Sequence, residues 1–321
     1  MENRRAFLIK GSLSLMAMQI PFAGCSKNIV YGSPKRKEPK TAAVFWYSQT
    51  GNTQRTGKLI AKTLEKNGIK TTSSDYRNFD RNTLSNFDLI VAGSPVYYYD
   101  VPSNFKNWLR QIPKITDASV ASYVTFGGEG GNQYNTSREL AEFLAEKGGI
   151  PVGTAEFGNM STFAITWSTG NEKRVLKYKD RPNETSFNSI RQYTSLVLGR
   201  IRQGLPADIE KEFDFRDMIK NGPSIWGTKI CINRHTIDNA KCVECGVCTD
   251  KCPVGAIGIE KGRVDNDLCI ACLGCVNNCP TGAIDMAFLN KKVYGFNEFI
   301  KRHKITISEP KELIKSAEHT G

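Results

Sequence analysis

Eight cysteines in the last third of this 321-residue chain have the residue type and the spacing to hold metal. They form two copies of the pattern C-x-x-C-x-x-C-x-x-x-C-P, displaced by 27 residues (269 − 242 and 279 − 252). A zinc site usually separates its C-x-x-C pairs more widely, and a disulfide framework would not repeat at a fixed offset. Three thiolates within seven residues therefore indicate iron–sulfur clusters, which carry single electrons. The copies are Cys242, Cys245, Cys248, Cys252 and Cys269, Cys272, Cys275, Cys279.

The repeat resembles the two-[4Fe–4S] bacterial ferredoxins over residues 236–285. In that family the fourth cysteine of each copy binds the cluster of the other copy. The resemblance implies one cluster on Cys242, Cys245, Cys248 and Cys279 (site one) and a second on Cys269, Cys272, Cys275 and Cys252 (site two). No cysteine is missing from either copy, which favours [4Fe–4S] over [3Fe–4S] clusters. Cys231 lies outside the pattern and is expected to be a structural free thiol.

The middle of the chain alternates between apolar runs of strand length and segments with helical periodicity. This alternation predicts an α/β fold with a doubly wound parallel sheet, and residues 41–205 suit one such domain. The expected strands cover residues 42–47, 89–93, 121–126 and 152–157, with a further short strand at 161–167. The expected helices cover residues 53–66, 105–109, 137–146 and 188–202.

Ligands in such sheets bind at the carboxyl ends of the strands. The first strand is followed by Ser48-Gln49-Thr50-Gly51-Asn52-Thr53, which resembles the S/T-x-T-G-x-T phosphate loop of flavodoxins. Hydroxyl groups and free amides at a helix N-terminus can hold a phosphate without a lysine. The loop is not a P-loop, because no G-K-[ST] follows it.

The flavodoxin resemblance extends to the loops after the next two apolar runs, at residues 93–99 and 125–132. It implies FMN, with Tyr97 in the best position to stack on the isoalloxazine and glycines near the pyrimidine edge of the flavin. No second stacking aromatic is obvious before Tyr134, so one flavin face is expected to be open or covered by another element. A flavodoxin-like domain that has lost FMN is the alternative. The expected FMN-binding residues are Ser48, Thr50, Gly51, Asn52, Thr53, Pro95, Val96, Tyr97, Tyr98, Phe126, Gly127 and Gly128.

The N-terminus has the features of an export signal over residues 1–25. Arg4 and Arg5 begin a run that resembles the twin-arginine signal, and the apolar stretch at 11–24 is too short to span a bilayer. Phe22-Ala23-Gly24-Cys25 resembles a lipoprotein lipobox with Phe22 in place of the usual leucine, which implies lipidation of Cys25. The alternative is an uncleaved N-terminus on a cytoplasmic protein. Residues 26–40 form a basic tether that either attracts anionic headgroups or is a solvated linker.

The remaining segments are less informative. Residues 206–235 are expected to link the two domains, and residues 286–321 to form a basic tail with a short helix at 297–304. The three histidines, His235, His303 and His319, are scattered and are predicted to lie on the surface.

The net charge of +12 favours an acidic redox partner or an anionic membrane surface. No DNA- or RNA-reading motif is present, so nucleic acid is not an expected partner. The whole chain resembles a flavodoxin–ferredoxin fusion, exported and lipid-anchored toward the periplasm or the cell exterior. We predict an electron-transfer protein that passes electrons between two [4Fe–4S] clusters and FMN. The alternatives are an FMN-dependent reductase of a quinone, nitro compound or metal ion, and a non-catalytic subunit of a membrane redox complex.

Overall fold

The computed structural model describes residues 31–35, 38–260 and 262–317. The predicted export signal, Cys25 and His319 lie outside these residues. Five parallel strands form the first sheet in the order β2-β1-β3-β4-β5, which confirms the predicted doubly wound α/β fold. The strands are β1 (Thr41–Trp46), β2 (Lys70–Asp75), β3 (Leu89–Pro95), β4 (Ser119–Gly127) and β5 (Ile150–Asn159).

The burial of each strand explains which of them the sequence pattern predicted. Every residue of β3 is buried, as are all but the first of β1, so both strands read as continuous apolar runs. By contrast, β2 has the polar sequence KTTSSD, lies at the sheet edge and has no buried residue. An edge strand of this kind carries no apolar signal, and its residue range was not predicted.

Helices cover both faces of this sheet, each over its own apolar core. Residues of α1 and α6 pack on one face and residues of α2 and α3 on the other. The four predicted helices are confirmed, with α3 and α6 each beginning four residues before the predicted start. The helices of this part are α1 (Asn52–Lys66), α2 (Ser103–Arg110), α3 (Gln133–Ala145), α4 (Ala164–Ser168), α5 (Glu172–Leu176) and α6 (Glu184–Gln203).

The predicted strand at 161–167 is wrong, because Ala164–Ser168 is a helix. Its buried residues Ala164, Ile165 and Trp167 pack into a third core, made mostly of residues after 230. The Trp167 ring stacks on Phe299 with centroids 4.4 Å apart, and its Nε1 donates to the Tyr294 carbonyl at 2.8 Å. The run of β-branched and aromatic residues resembled a strand, but long-range packing selects the helix.

A second five-stranded sheet, of antiparallel pairs, has the order β10-β9-β6-β8-β7. Its strands are β6 (Ile232–Ile237), β7 (Ile257–Gly258), β8 (Arg263–Val264), β9 (Ile284–Phe288) and β10 (Lys291–Val293). The accompanying helices are α7 (Gly222–Ile230), α8 (Val247–Lys251), α9 (Gly274–Asn278), α10 (Phe296–Arg302) and α11 (Lys311–Ala317). Helix α8 lies inside the first cysteine motif, and helix α9 lies inside the second.

The C-terminal segment returns to the first domain. The predicted helix at 297–304 is confirmed as α10, and acidic residues beyond it pair with helices of the first sheet. Glu309 accepts from Arg55 at 2.6 Å, and Glu312 pairs with Arg191 at 2.9 Å and with Lys66 at 3.1 Å. Among the described residues, no helix has both the length and the apolar character needed to cross a bilayer.

Candidate functional site

A cavity of about 540 Å³ lies at the carboxyl ends of β1, β3 and β4. This volume is within the range of small-molecule and cofactor sites. The structure brings ten of the twelve predicted FMN-binding residues to its wall: Ser48, Thr50, Asn52, Thr53, Pro95, Val96, Tyr97, Tyr98, Phe126 and Gly127. Gly51 and Gly128 do not line it; they form the adjacent turns, with φ of 94° and 66°.

The phosphate-type loop leads directly into α1. Gly51 caps this 15-residue helix in the left-handed conformation, and no side chain caps its N-terminus. Ser48 Oγ accepts from the Gly51 amide at 3.2 Å, which leaves the Ser48 hydroxyl proton available to a ligand. An uncapped helix N-terminus beside serine and threonine hydroxyls fits the phosphate of FMN.

Three consecutive tyrosines follow β3 in a tight turn. The backbone of Tyr97 pairs with Asp100, while Tyr98 and Tyr99 take φ of 48° and 64°. Burial raises the pKa of Tyr97 and of Tyr98 well above the usual range, so both remain neutral phenols at neutral pH. Tyr98 Oη donates to the Ala271 carbonyl at 2.8 Å, so this ring is held by the second cysteine motif. Tyr97 also lines the cavity, and its hydroxyl makes no such bond to the described residues.

A charge cluster built on the buried Asp100 and Lys106 holds this turn in place. It also includes the partly exposed Glu139 and Lys220, and we call it the Asp100 cluster. Lys106 Nζ lies 2.6 Å from Asp100 and also contacts Glu139. Lys220 Nζ lies 2.9 Å from Glu139 and 3.9 Å from Asp100. Burial raises the pKa of Asp100, whereas the two lysines lower the pKa of Glu139 to about 2 against the effect of its burial. The cluster fixes the segment before α7 to the flavodoxin-type sheet.

Residues predicted to be only a linker form part of the cavity wall. Ser224, Gly227 and Thr228 of α7 line the cavity, although sequence reasoning assigned them no role. On the opposite face of the helix, Trp226 is 68% exposed and Ile230 is 58% exposed. The helix therefore presents its small and hydroxyl-bearing residues to the cavity, and because it has no buried apolar face, hydrophobic periodicity does not reveal this role.

The structure brings together the four cysteines assigned to site one. Cys242, Cys245, Cys248 and Cys279 line one small cavity, beside the apolar side chains of Ile237 and Ile284. The Cys279 sulfur accepts from the Ala283 amide at 3.1 Å. Amides directed at sulfur stabilise a negatively charged cluster.

The four cysteines of site two also lie close together. Burial raises the pKa of Cys272 to about 12, and the neighbouring Cys269 and Cys252 raise it further. The pKa of Cys275 is likewise raised by burial and by all three other thiols, so Cys252 does reach the second motif. Thiols crowded in this way need bound cations to become thiolates, which fits an iron cluster.

A single metal ion fits these residues less well. In the described part of the chain, no three His, Cys, Asp or Glu side chains are close enough together to hold one ion. Cysteines around a cubane bind four different irons and stand further apart than the ligands of one zinc ion.

Site two and the flavin-type cavity share a wall. Cys272 and Ala271 line the cavity, and the buried Tyr47 neighbours Cys272. Gln49 Nε2 donates at 2.8 Å both to Tyr47 Oη and to the Lys251 carbonyl. Sequence reasoning missed Tyr47, read as a strand residue, and Gln49, which occupies a variable position of the loop.

The prediction that His235 lies on the surface is wrong. Its side chain is 7% exposed, and its Nε2 lies 3.3 Å from the Cys275 sulfur. Burial lowers the pKa of His235 to about 4, so the ring is neutral at pH 7. On β6, His235 and Ile237 are the two buried residues and alternate with partly exposed ones, which is the period-two pattern that points a strand face at the core. His303 is partly exposed, and its Nε2 lies 3.4 Å from Glu172.

Comparison with known proteins agrees with this architecture. Residues 43–158 match the family described as Flavodoxin domain, and residues 234–280 match the family described as 4Fe-4S dicluster domain. No significant match was found among curated proteins.

Solved flavodoxin structures resemble about half of the chain. A flavodoxin from the domain Archaea has 13% identity and a TM-score of 0.38, covering 50% of this chain and 99% of its own. Flavodoxin 1 from Bacillus cereus has 16% identity and a TM-score of 0.39, and the match covers 50% of this chain and 97% of the flavodoxin. The WrbA-like flavodoxin from Agrobacterium tumefaciens has 18% identity and a TM-score of 0.37, covering 51% and 99%. The chain is therefore similar to a flavodoxin domain over residues 43–158 and to a 4Fe–4S dicluster domain over residues 234–280, a combination that supports an FMN and iron–sulfur electron-transfer protein.

Proposed function

We propose that this chain is an electron carrier that links FMN, in the 540 Å³ cavity, to an outside redox partner through two [4Fe–4S] clusters. When bound, FMN holds one or two electrons and each cluster carries one at a time. The observation that carries the proposal is the position of Cys272, a predicted ligand of site two that also lines the flavin-type cavity.

The residues around Cys272 keep the two sites together. Tyr98 bonds the Ala271 carbonyl from the flavodoxin side, and Asn278 Nδ2 donates to the Gln49 carbonyl at 3.1 Å from the ferredoxin side. Thr162, which bonds Thr50 at 3.2 Å, also accepts from Asn277 at 3.0 Å through its carbonyl. These bonds run from the phosphate-type loop to the second cysteine motif, so the loop and the motif are positioned as one unit.

Site one is the better candidate for contact with a partner. Of the nine cysteines in the described residues, Cys245 is the exposed one, and the neighbouring Val243 is 63% exposed. None of the four cysteines of site one lines the flavin-type cavity. The net charge of +12 supports an acidic partner protein.

Export and membrane attachment belong to the proposal as well. Arg4, Arg5 and the segment ending at Cys25 support twin-arginine export followed by lipidation, with the protein facing the periplasm or the cell exterior. Twin-arginine systems export folded proteins, which suits a chain whose clusters are inserted in the cytoplasm. Fractionation of cells expressing the chain or its Cys25→Ser variant tests this; a Cys25→Ser variant that stays in the membrane fraction would contradict lipid anchoring.

A reductase of small acceptors receives less support. That alternative rested on an open flavin face, but the aromatic side chains of Phe126 and Phe163 both line the cavity. In addition, α7 contributes Ser224 and Thr228 to the wall, from outside the flavodoxin-type sheet.

The test is the cofactor content of the mature chain, residues 26–321, purified without oxygen. We expect about eight iron atoms and about eight acid-labile sulfides per chain, together with FMN released on denaturation. Iron without flavin, even after FMN is added back, would refute the proposal and leave a ferredoxin with a degenerate flavodoxin domain.

A further inference from the structure

The two cluster sites differ in the side chains that face their sulfurs. At site two, two buried side chains face the cysteines: His235, whose Nε2 lies 3.3 Å from the Cys275 sulfur, and Tyr47, which neighbours Cys272. At site one, the corresponding side chains are Thr281, whose hydroxyl lies 3.7 Å from the Cys279 sulfur, and Thr249, which neighbours Cys248, and both threonines are exposed to solvent. Water competes with an exposed hydroxyl, whereas a buried donor keeps its full electrostatic effect.

His235 faces the sulfur as a donor. Its Nε2 lies 3.3 Å from Cys275, and its Nδ1 is buried with no protein partner among the described residues. A proton on Nδ1 alone would turn the Nε2 lone pair toward a thiolate, which is repulsive. The proton therefore belongs on Nε2, where it forms an N–H···S hydrogen bond.

Tyr47 is also fixed as a donor by its other hydrogen bond. Gln49 Nε2 carries only protons and donates to Tyr47 Oη at 2.8 Å, so the phenol accepts there. The hydroxyl proton of Tyr47 is then free to point at Cys272. The ring is fully buried, so an unused hydroxyl donor would be costly.

These donors act against the effect of burial. A reduced cluster carries one more negative charge than an oxidised one, and a buried site disfavours the more negative form. Lys229 and Asp265, which both lie near Cys269, have opposite charges, so their effects on a charge at that sulfur oppose each other. Hydrogen bonds to the sulfurs stabilise the reduced cluster.

We propose that His235 and Tyr47 raise the reduction potential of the cluster at site two, and so favour residence of the electron on the flavin side of the protein. The proposal rests on the proposed function, because it assumes a [4Fe–4S] cluster at each site. His235 and Tyr47 are positioning residues that act through Cys275 and Cys272.

The test is a redox titration of the loaded mature chain followed by EPR, which measures the potential of each cluster separately. The variants are His235→Leu and Tyr47→Phe, and Tyr76→Phe is the matched control. Tyr76 belongs to the same aromatic cluster, but its hydroxyl accepts from Asn104. Cys245→Ser, which removes a ligand of site one, identifies the signal of site two.

We expect His235→Leu to reduce the equilibrium constant for reduction of the site-two cluster about tenfold, which is about 59 mV for a one-electron couple. Tyr47→Phe should shift the potential of the same cluster in the same direction. Tyr76→Phe should leave that potential unchanged, and none of these variants should change the potential of the site-one cluster. If the His235→Leu protein fails to assemble the cluster at site two, the potential of the Tyr47→Phe protein tests the proposal instead, because that change removes a single oxygen atom and keeps the ring.

An unchanged site-two potential, or an equal shift of both clusters, would overturn the proposal. Failure of the proposed function would be visible separately, as wild-type protein that lacks FMN or the second cluster signal.

Discussion

Replacing Lys106 by methionine tests whether the Asp100 cluster holds the tyrosine turn and the segment before α7. The change keeps the length of the side chain and removes the ammonium group that lies 2.6 Å from Asp100, whose side chain is 1% exposed. Removing one partner of a buried pair costs about 3–5 kcal/mol, because the remaining charge is left uncompensated. Lys220, at 3.9 Å from Asp100, replaces little of that interaction.

The assay is the thermal midpoint of flavodoxin-domain unfolding, compared at one scan rate, together with FMN affinity. For a domain of this size, each kcal/mol of lost stability lowers the thermal midpoint by about 2–4 °C. A loss of about 3–5 kcal/mol therefore predicts a midpoint lower by roughly 6–20 °C. FMN should also bind more weakly, because Tyr97 and Tyr98 line the cavity.

The matched control is Lys62→Met. Lys62 pairs with Glu65 at 2.9 Å, but each side chain is 40% exposed, and such pairs contribute at most about 1 kcal/mol. If Lys106→Met lowers the thermal midpoint no more than Lys62→Met does, the structural role of the Asp100 cluster is refuted.

Three further predictions concern single residues. Cys279→Ser should remove the site-one EPR signal and preserve that of site two; selective loss of the site-two signal would refute the cross-ligation. Tyr97→Ala should weaken FMN binding by about 1 kcal/mol or more through lost stacking, measured by flavin fluorescence, and an unchanged affinity would move the role to another residue. Gly57→Ala should destabilise the protein by about 1–3 kcal/mol, because its new Cβ would lie 2.3 Å from Trp46, whereas Gly199→Ala, with no heavy atom within 4 Å, should stabilise α6 by up to about 1 kcal/mol. Equal effects of the two alanines in thermal unfolding would contradict the packing around Gly57.

Local patterns were sufficient for much of the fold. The apolar runs of β1 and β3 and the periodicity of α1 and α6 follow directly from burial on a two-faced sheet. The cysteine repeat similarly predicted three ligands of each site, since the spacing of three thiolates is a local property, whereas the fourth ligand was assigned from the ferredoxin resemblance. The polar edge strand β2 was not predicted, because neither of its sides carries apolar residues that face a core.

The contacts between the two domains could not be predicted in this way. Gln49 joins the phosphate-type loop to Lys251 of the first cysteine motif and to Asn278 of the second, across 202 residues (251 − 49) and 229 residues (278 − 49) of sequence. His235 precedes its sulfur partner by 40 residues, so only the pairing of β6 with β9 brings that strand beside the second motif. Helix α7 lacks a buried apolar face, and its role depends on the cavity beneath it.

The central claim is that the two cluster sites and the flavin cavity form one electron-transfer unit within a single chain. The most direct measurement is anaerobic stopped-flow reduction of the loaded mature chain, in which cluster and flavin absorbance are followed at several protein concentrations. We predict that flavin reduction follows cluster reduction at a rate independent of protein concentration, because Cys272 belongs to both sites. Flavin that stays oxidised while the clusters are reduced would contradict the account.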